Sequence, residues 1–314
     1  MKKRLQRLAL LAAAFLATLS PLAQQAAASP DNAPVTTRHR LAPGNLRVLT
    51  ANIRFPLDTD KNGTEWPVRH KLCCEVLAAQ DADILCLQEG REPHLPYVRA
   101  AFPGYDAYTC PNPSGDQTHR PDNIIFYSSK RFQKIAAGGH WLSDTPDVPR
   151  SKFADSGSVR YVNWLHLRDT VANSELVVWN THLDHLNQSA RDKQAAVIVR
   201  FTNGFRPSGL PAILTGDFNC GVTSKAIQTI KAAGWSDSYA SLHGPDDPGF
   251  TFHNWKGPRQ AEALKAKNRA SKKIDFIFNT ARLKPVAAEI IRDSRDGKFP
   301  SDHYFVSAEF EYSP

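Results

Sequence analysis

The stretch AILTGDFNC, residues 212–220, joins a short apolar run to two polar side chains that are able to take part in chemistry. The run 212–216 has the length and the apolar content of a buried β-strand, and Asp217 and Asn219 follow at its end. At a single position, an Asp after a strand is more often a turn or cap residue. The pattern therefore indicates a site only if it recurs elsewhere in the chain.

Apolar runs of the same kind recur along the whole chain. Several alternate with polar residues, and others are continuous, which is typical of strands covered on both faces. Segments 68–77 and 190–201 carry apolar residues at helical spacing instead. The alternation predicts one α/β domain over residues 44–314, a β-sandwich flanked by helices. The further runs are LRVLT at 46–50, DILCLQ at 83–88, NIIFY at 123–127, YVNWLHL at 161–167, ELVVWNT at 175–181, IDFIF at 274–278 and YFVSAEF at 304–310.

Many of these runs begin or end with a polar residue. A rigid sheet that delivers such side chains to one edge is how α/β enzymes build their sites. There is no cysteine cluster and no serine in a nucleophile elbow, so hard oxygen ligands and histidine dominate. This inventory favours magnesium or calcium chemistry on a phosphate ester. The residues concerned are Asn52, Glu89, His182, Asp184, Asp217, Asn219, Asp275, Asp302 and His303.

The composition is that of an ordinary globular protein. Of 314 residues, 41% are hydrophobic and 22% are charged, which excludes collagen-like, coiled-coil and wholly disordered chains. The formal net charge is +8. A charge of this sign suggests a polyanionic partner, provided that it lies in the folded part of the chain.

Half of that charge falls in a segment that we interpret as a cleaved signal peptide, residues 1–28. It combines a basic start, an apolar run of about a dozen residues and a small-residue cleavage pattern, AAA, and the run is too short to span a membrane. Without its four basic residues the chain has 35 basic and 31 acidic residues, a net charge of +4. We expect a secreted or periplasmic protein with no integral membrane segment, and a flexible segment at residues 29–43.

Five cysteines are present, which leaves at least one thiol unpaired in an exported protein. Cys86 lies in a predicted buried strand. A disulfide between Cys110 and either Cys73 or Cys74 is compatible with an oxidising compartment. The spacing offers no C-x-x-C pair, which argues against zinc.

The motifs TANIRF, CLQEG, NTHLDH, TGDFNC, KIDFIF and PSDHYFV resemble, in this order, those of the endonuclease/exonuclease/phosphatase superfamily. That group includes DNase I-like nucleases, sphingomyelinases, inositol-polyphosphate phosphatases and deadenylases. The resemblance covers residues 46–310, and HWLSDTPDVP at 140–149 resembles an exported bacterial branch described as metal-dependent hydrolases. It implies a DNase I-like, four-layered α/β sandwich in which two packed mixed β-sheets are flanked by helices.

The resemblance also implies a metal site. Glu89 matches the principal metal ligand, Asn52 an amide beside the metal, and Asp302 a further acidic position at or next to it. The expected ion is Mg²⁺, with Mn²⁺ or Ca²⁺ as alternatives, since such ions prefer oxygen ligands.

The remaining motif residues are implied to be catalytic. Asp217 would orient and deprotonate the attacking water, and Asn219 would hydrogen-bond the phosphate or that water. His303 would bind a phosphate oxygen or assist proton movement, with Asp275 fixing its tautomer. His182 would supply a second donor to the phosphate. Asp184 and His185 extend the NTH motif and remain open candidates for substrate contact.

A basic segment lies just before Asp275. Residues 256–273, KGPRQAEALKAKNRASKK, contain seven basic side chains and one Glu, a local net charge of +6. One interpretation is an arm that tracks phosphates, with Lys265, Lys267, Arg269 and Lys272 as substrate-binding residues. The alternative is a solvated segment with no binding role.

The sequence therefore predicts a monomeric, secreted Mg²⁺-dependent phosphodiesterase that acts on nucleic acid. The first alternative keeps the chemistry but changes the substrate to a phospholipid or a small phosphate ester. The second alternative is a non-catalytic module that binds polyanions.

Overall fold

The computed structural model describes residues 33–109, 123–205, 209–246, 248–267 and 272–313. The signal peptide expected at residues 1–28 lies outside these ranges. Within them the chain forms two mixed β-sheets of six strands each, packed face to face.

The first sheet is built around a parallel pair of strands, β1 (Leu46–Asn52) and β2 (Ile84–Gln88). The other strands join it antiparallel, in the order β11-β12-β1-β2-β4-β3. Their bounds are Tyr105–Thr109 for β3, Ile124–Ser128 for β4, Leu283–Ile291 for β11 and Phe305–Tyr312 for β12.

The second sheet repeats this plan around the parallel pair β7 (Ser174–His182) and β8 (Ala212–Asp217). Its strand order is β5-β6-β7-β8-β10-β9. The remaining strands are β5 (Phe132–Trp141), β6 (Tyr161–Asp169), β9 (Ser236–Asp237) and β10 (Asp275–Asn279).

Six α-helices occur in the described part of the chain, and none of them is long and apolar enough to cross a membrane. They are α1 (Trp66–Ala78), α2 (Leu95–Ala101), α3 (Gln188–Phe205), α4 (Lys225–Ala232), α5 (Ser238–His243) and α6 (Gln260–Ala266). A 3₁₀ turn, Gly257–Arg259, directly precedes α6.

The side-chain alternation of the strands produces three apolar layers. Val48 and Ile213 belong to the layer between the two sheets. Leu49, the neighbour of Val48, points to the opposite face and packs with α1 and α2. Leu214 packs in the same way beneath α3 and α4. The architecture is thus helix, sheet, sheet, helix, which confirms the four-layered sandwich.

Residues 33–43, expected to be part of a loose segment, contain no helix or strand but are tied to the body of the fold by ion pairs. Arg38 pairs with Glu289 and Asp293 at 2.7 and 2.8 Å. Arg40 pairs with Asp83 at 2.7 Å. Two arginines thus replace regular secondary structure as the anchor of this segment.

The cysteines in the described residues are free. Cys73 and Cys86 are buried, Cys220 is buried, and Cys74 is half-buried, each without a disulfide. Cys110 lies outside the described residues. Burial raises the pKa of the Cys86 thiol to about 12, so that this residue behaves as an apolar core side chain.

Candidate active site

Strand register brings the polar motif residues of the two sheets to one edge. Within the second sheet, His182 at the end of β7 pairs with Asp217 at the end of β8, and Asp217 pairs with Asp275 at the start of β10. In the first sheet, Asn52 at the end of β1 pairs with Gln88 of β2, and Glu89 follows directly. Five motif residues therefore meet because their strands end together.

Local backbone conformation helps to aim these side chains. Gly216 has a φ of 154°, and a Cβ atom there would collide with the carbonyl oxygen of Thr181, so glycine is required beside Asp217. Glu89 and Asn219 have φ values of 59° and 50°, in the left-handed region that non-glycine residues rarely adopt. Such conformations cluster at functional sites.

Asn52 links the two sheets at this edge. Its Nδ2 atom donates to Oε1 of Glu89 and to Oδ2 of Asp217, both at 3.1 Å. Its Oδ1 atom accepts from the backbone N–H of Arg54 at 3.0 Å, which fixes the orientation of the amide. Asn52 thereby holds the predicted metal ligand and the predicted base at a fixed separation.

The predicted ligand set has the donor chemistry that a hard divalent cation requires. Oε2 of Glu89 accepts from the backbone N–H of Phe55 at 2.9 Å, which orients the carboxylate. Burial raises the pKa of Asp302, and the negative charge of Glu89 raises it further. Crowded carboxylates of this kind are stabilised by a cation, so Glu89 and Asp302 fit Mg²⁺. Asn52, expected beside the metal, turns its Nδ2 donor toward Glu89 and its Oδ1 toward the Arg54 N–H, so it holds the ligand in place and does not offer its own oxygen in this orientation.

A second set of side chains, Asp217, Asp275 and His303, also offers ligand atoms that lie within 4.8 Å of one another. At this second position a cation would have to displace the proton of His303, whose pKa Asp275 raises to about 10 in the metal-free protein. The Glu89 side of the site is therefore the better cation position.

Asp217 is the central carboxylate of the site. It is buried, and burial together with the negative charge of Asp275 raises its pKa to about 7. Its Oδ1 atom accepts from the backbone N–H of Asn219 at 2.8 Å. Its Oδ2 atom lies 3.4 Å from Nε2 of His182 and 3.8 Å from Nε2 of His303. A carboxylate with a pKa near neutrality is suited to act as a general base.

His303 and Asp275 form a buried pair. Nδ1 of His303 lies 3.0 Å from Oδ2 of Asp275. Burial opposes a charge on His303, but attraction to Asp275 and the hydrogen bond between them outweigh it and raise the pKa of His303 to about 10. Asp275 and His303, paired in the sequence analysis, are thus in direct contact, and their catalytic roles stay predictions.

The pKa of His182 is shifted in the opposite direction to that of His303. Burial lowers its pKa well below the usual range, and the positive charges of Arg160 and His303 act in the same direction. Asn219 donates from Nδ2 to the carbonyl oxygen of Leu183 at 3.1 Å, and the same Nδ2 lies 3.0 Å from Nε2 of His182. Nε2 therefore accepts, so a donor role of this atom toward phosphate requires exchange of its bond to Asn219.

The site opens into a cavity of about 710 Å³, within the range of small-molecule sites. Besides the motif residues, its lining includes side chains to which the sequence analysis assigned no role. They are Phe55, Arg91, Asn123, Lys152, Arg160 and Tyr161. Among the sequence motifs, only HWLSDTPDVP at residues 140–149 lies near this part of the lining. It begins the connection between β5 and β6, which carries Lys152 and Arg160.

The basic segment contributes less than its charge suggested. Lys265, Lys267 and Lys272 are exposed, and none of them lines the cavity. Arg269 lies outside the described residues. Lys273, which was counted in the local charge of +6, is buried and paired with Asp237 at 2.7 Å, so it belongs to the core.

Asp184 and His185, the open candidates next to the NTH motif, lie in different environments. His185 lines the cavity. Asp184 is fully buried and accepts hydrogen bonds from the Ser156 hydroxyl at 2.9 Å and from the Ser158 backbone N–H at 3.1 Å. Asp184 therefore does not line the cavity, but it positions the segment of Ser156 and Ser158 that does.

Two packed mixed sheets, with a buried carboxylate and histidine site where their strands end, define a DNase I-like phosphoesterase. The chain belongs to the endonuclease/exonuclease/phosphatase family, whose model matches residues 49–303. No curated protein matches the chain.

Solved structures share the whole fold. The endonuclease/exonuclease/phosphatase protein from Bacteroides vulgatus is 26% identical, with a TM-score of 0.74, covering 86% of this chain and 99% of that one. A mannosyl-6-phosphatase of Bacteroides thetaiotaomicron is 28% identical, with a TM-score of 0.72, covering 85% and 100%. TDP2 of D. rerio, complexed with a single-strand DNA product, is 17% identical with a TM-score of 0.64, covering 85% and 99%, a likeness of fold alone.

Proposed function

We propose that this protein is a divalent-metal-dependent hydrolase of phosphate esters in which Asp217 activates the attacking water. The observation that carries the proposal is the position of Asp217. Its carboxylate lies between Asn52, which also contacts Glu89, and His303, which Asp275 keeps protonated. The proposed base therefore lies next to both the proposed cation ligand, Glu89, and a positively charged donor, His303.

Each of these groups has a distinct task. Asp217, with a pKa near 7, accepts a proton from water in its ionised form. The protonated His303 donates from Nε2 toward a phosphoryl oxygen and stabilises the charge that develops there. The backbone N–H of Asn219 donates to Oδ1 of Asp217 and orients this carboxylate. A divalent cation held by Glu89 and Asp302, with Asn52 orienting Glu89, would neutralise negative charge on the phosphoryl group as a Lewis acid.

The cavity favours a small phosphate ester as the substrate. Its volume suits a compact molecule, and cationic side chains line it. The mannosyl-6-phosphatase that is 28% identical and shares the fold also supports this substrate class. The proposal shifts the emphasis from the nuclease that the sequence analysis preferred to its alternative, a small-molecule phosphatase.

The test is a substrate panel with purified protein in Mg²⁺ and in EDTA. It contains mannose 6-phosphate and other sugar phosphates, a chromogenic phosphodiester, plasmid DNA, RNA and sphingomyelin. We expect fastest phosphate release from the small esters, and loss of all activity in EDTA. Activity that survives EDTA, or the absence of activity on every ester, would contradict the proposal and favour a non-catalytic module.

Nucleic acid remains the second candidate substrate, because exposed lysines lie next to the strand that carries Asp275. Lys265, Lys267 and Lys272 are all exposed. Replacing the three with Ser should reduce the slope of the logarithm of the nucleic-acid binding constant against the logarithm of the salt concentration. The reduction should correspond to the loss of up to about three phosphate contacts. A matched triple change of exposed lysines elsewhere, at Lys130, Lys134 and Lys284, is the control. An unchanged slope would assign the segment no binding role.

Export and a monomeric state are further parts of the proposal. Residues 1–28 have the pattern of a cleavable signal peptide. Expression of the full chain in a bacterial host should yield a periplasmic or secreted protein whose N-terminus, measured by mass spectrometry, begins near Ser29. Size-exclusion chromatography with light scattering tests the monomer, and retention of the leader in the cytoplasm would contradict export.

A further inference from the structure

Arg69 is a buried arginine in the first turn of α1, and it does not line the active-site cavity. Its guanidinium group donates to four backbone carbonyl oxygens. Nε donates to Thr64 at 2.8 Å, Nη1 to Ile53 at 2.8 Å and to Pro300 at 3.0 Å, and Nη2 to Arg54. Four of the five N–H donors of this side chain thus hold the main chain.

One of these bonds orients the peptide unit that contacts Glu89. Arg69 binds the carbonyl oxygen of Arg54, and the N–H of the same peptide unit, that of Phe55, donates to Oε2 of Glu89 at 2.9 Å. A trans peptide unit is planar, so fixing the direction of its C=O also fixes the opposite direction of its N–H. Arg69 therefore directs an N–H donor at the predicted metal ligand without touching it.

The preceding peptide unit is held in the same way. Arg69 binds the carbonyl oxygen of Ile53, and the N–H on the other side of that unit, that of Arg54, donates to Oδ1 of Asn52 at 3.0 Å. Asn52 in turn donates to Oε1 of Glu89 at 3.1 Å. Both carboxylate oxygens of Glu89 are thus oriented by groups whose backbone is fixed by the one guanidinium group.

A third bond of Arg69 anchors the segment that carries the other predicted ligand. Pro300, whose carbonyl oxygen accepts from Nη1, precedes Asp302 by two residues. The guanidinium group also approaches the ring of Trp255, at 5.4 Å from its centroid. The two residues directly before this tryptophan donate their backbone N–H groups to the carbonyl oxygen of Asp302, at 2.9 and 3.0 Å. One side chain therefore contacts the segments that hold both predicted ligands.

We infer that Arg69 is a positioning residue for the divalent cation: it preorganises Glu89 and Asp302 through the backbone and thereby raises the affinity of the site. It touches neither the cation nor the substrate. Groups that orient metal ligands from outside typically contribute about ten- to a hundredfold to metal affinity. This inference rests on the proposed function, since it takes Glu89 and Asp302 as the ligands of the cation.

The first test compares the Mg²⁺ dissociation constants of wild type, Arg69→Lys and Arg131→Lys, measured by NMR titration. Lysine keeps the positive charge but offers one nitrogen in place of the planar fork. We expect Arg69→Lys to raise the dissociation constant at least about tenfold. Arg131→Lys is the matched control, because Arg131 is also buried and donates to backbone carbonyls, those of Gly44 and Asn45, just before the start of β1. Its dissociation constant should equal that of the wild type.

A second measurement uses the wild-type protein alone. Coupling is reciprocal, so if the bonds of Arg69 favour Mg²⁺ binding, bound Mg²⁺ must stabilise these bonds by the same factor. Hydrogen exchange at the Nε–H groups of Arg69 and Arg131, followed by NMR with and without Mg²⁺, measures this factor. We expect saturating Mg²⁺ to slow the exchange at Arg69 about tenfold more than at Arg131.

The possible results separate this inference from the proposed function. Wild-type affinity in Arg69→Lys, an equal loss in Arg131→Lys, or equal slowing of exchange at both arginines overturns the positioning role, even if the enzyme hydrolyses phosphate esters. Effects confined to Arg69 support the role even if the wild type hydrolyses no ester of the panel, in which case only the hydrolytic proposal fails.

Two further outcomes are also decisive. If Arg69→Lys does not fold, the exchange measurement on the wild type decides between the positioning role and a purely structural one. If the wild type binds no Mg²⁺, the cation site of the proposed function is contradicted, and the positioning role of Arg69 with it.

Discussion

Nδ1 of His303 lies 3.0 Å from Oδ2 of Asp275, and both side chains are buried between the ends of the two sheets. Asp275 thereby determines both the orientation and the charge of the imidazole. With Nδ1 engaged, the Nε2–H of His303 faces the region of Asp217, 3.8 Å away. One pair thus supplies the site with a fixed, protonated donor.

Replacement of Asp275 by Asn should lower the pKa of His303. In the wild type the attraction to Asp275 raises this pKa to about 10, so the ring stays protonated through neutral pH. Without the carboxylate, only the more distant charges of Asp217 and Asp302 oppose burial, so the pKa of His303 should fall. NMR titration of the His303 ring in metal-free protein measures this directly, with Asp106→Asn at an exposed position as the control. A His303 pKa that stays near 10 in Asp275→Asn would contradict the assigned cause.

Glu89→Gln should abolish stabilisation of the protein by Mg²⁺. A ligand at about a hundred times its dissociation constant stabilises the folded state by about 2.7 kcal/mol. The amide keeps the size of the side chain but removes the charge that a divalent cation requires. Thermal unfolding with and without Mg²⁺ is the measurement, and Glu311→Gln, an exposed acid on β12, is the control. An undiminished Mg²⁺ shift in Glu89→Gln would place the cation elsewhere.

Gly216→Ala should destabilise the fold and displace Asp217. The added Cβ would collide with the carbonyl oxygen of Thr181 on the adjacent strand, at a φ of 154° that alanine avoids. We expect a loss of about 2–4 kcal/mol in the free energy of unfolding. Urea titration measures it, and Gly204→Ala, where a Cβ meets nothing within 4 Å, is the control. Equal stability of the two variants would refute the steric argument.

His94 should make the stability of the protein fall in acid. Burial and the positive charge of Arg69 lower its pKa to about 3, whereas an unfolded histidine titrates near 6.5. Between these values only the unfolded chain binds the proton, so the contribution is complete above pH 6.5 and is lost as the pH falls. The expected slope is about 1.4 kcal/mol per pH unit.

The measurement is the free energy of unfolding of wild type and His94→Gln between pH 7 and pH 4. The glutamine removes the titrating group, so its curve should be shallower by the slope of one proton, whatever the variant costs in overall stability. Parallel curves would show that His94 does not titrate differently in the two states.

Much of the fold could be predicted from the sequence because each central strand is marked by its own apolar run. Runs such as AILTG at 212–216 are apolar throughout and end at a turn residue, and they are strands in the structure. The strand at β5 was missed because its sequence, FQKIAAGGHW, is half-exposed and rich in small residues. The strand at β11 contains Pro285 and a bulge, both of which disrupt alternation.

The site was predictable to the extent that it lies at strand ends. Asp217 and Asp275 meet because they pair directly in the register of β8 and β10. Lys152 and Arg160 lie in an irregular connection, where no periodicity marks a residue as facing a cavity. The burial of Lys273 against Asp237 likewise depends on tertiary structure. Counting charges along the sequence therefore placed Lys273 wrongly in the basic segment.

The most direct test of the central claim is the initial rate of phosphate release in Mg²⁺ by wild-type protein and by Asp217→Asn, on the best ester of the panel. The amide fits the same space, and its one oxygen can still accept from either Asn52 Nδ2 or the Asn219 N–H, but the side chain cannot accept the proton of water. We expect kcat to fall at least about a hundredfold with KM little changed and the thermal unfolding temperature not lowered. A kcat within a few-fold of the wild type would show that Asp217 is not the base.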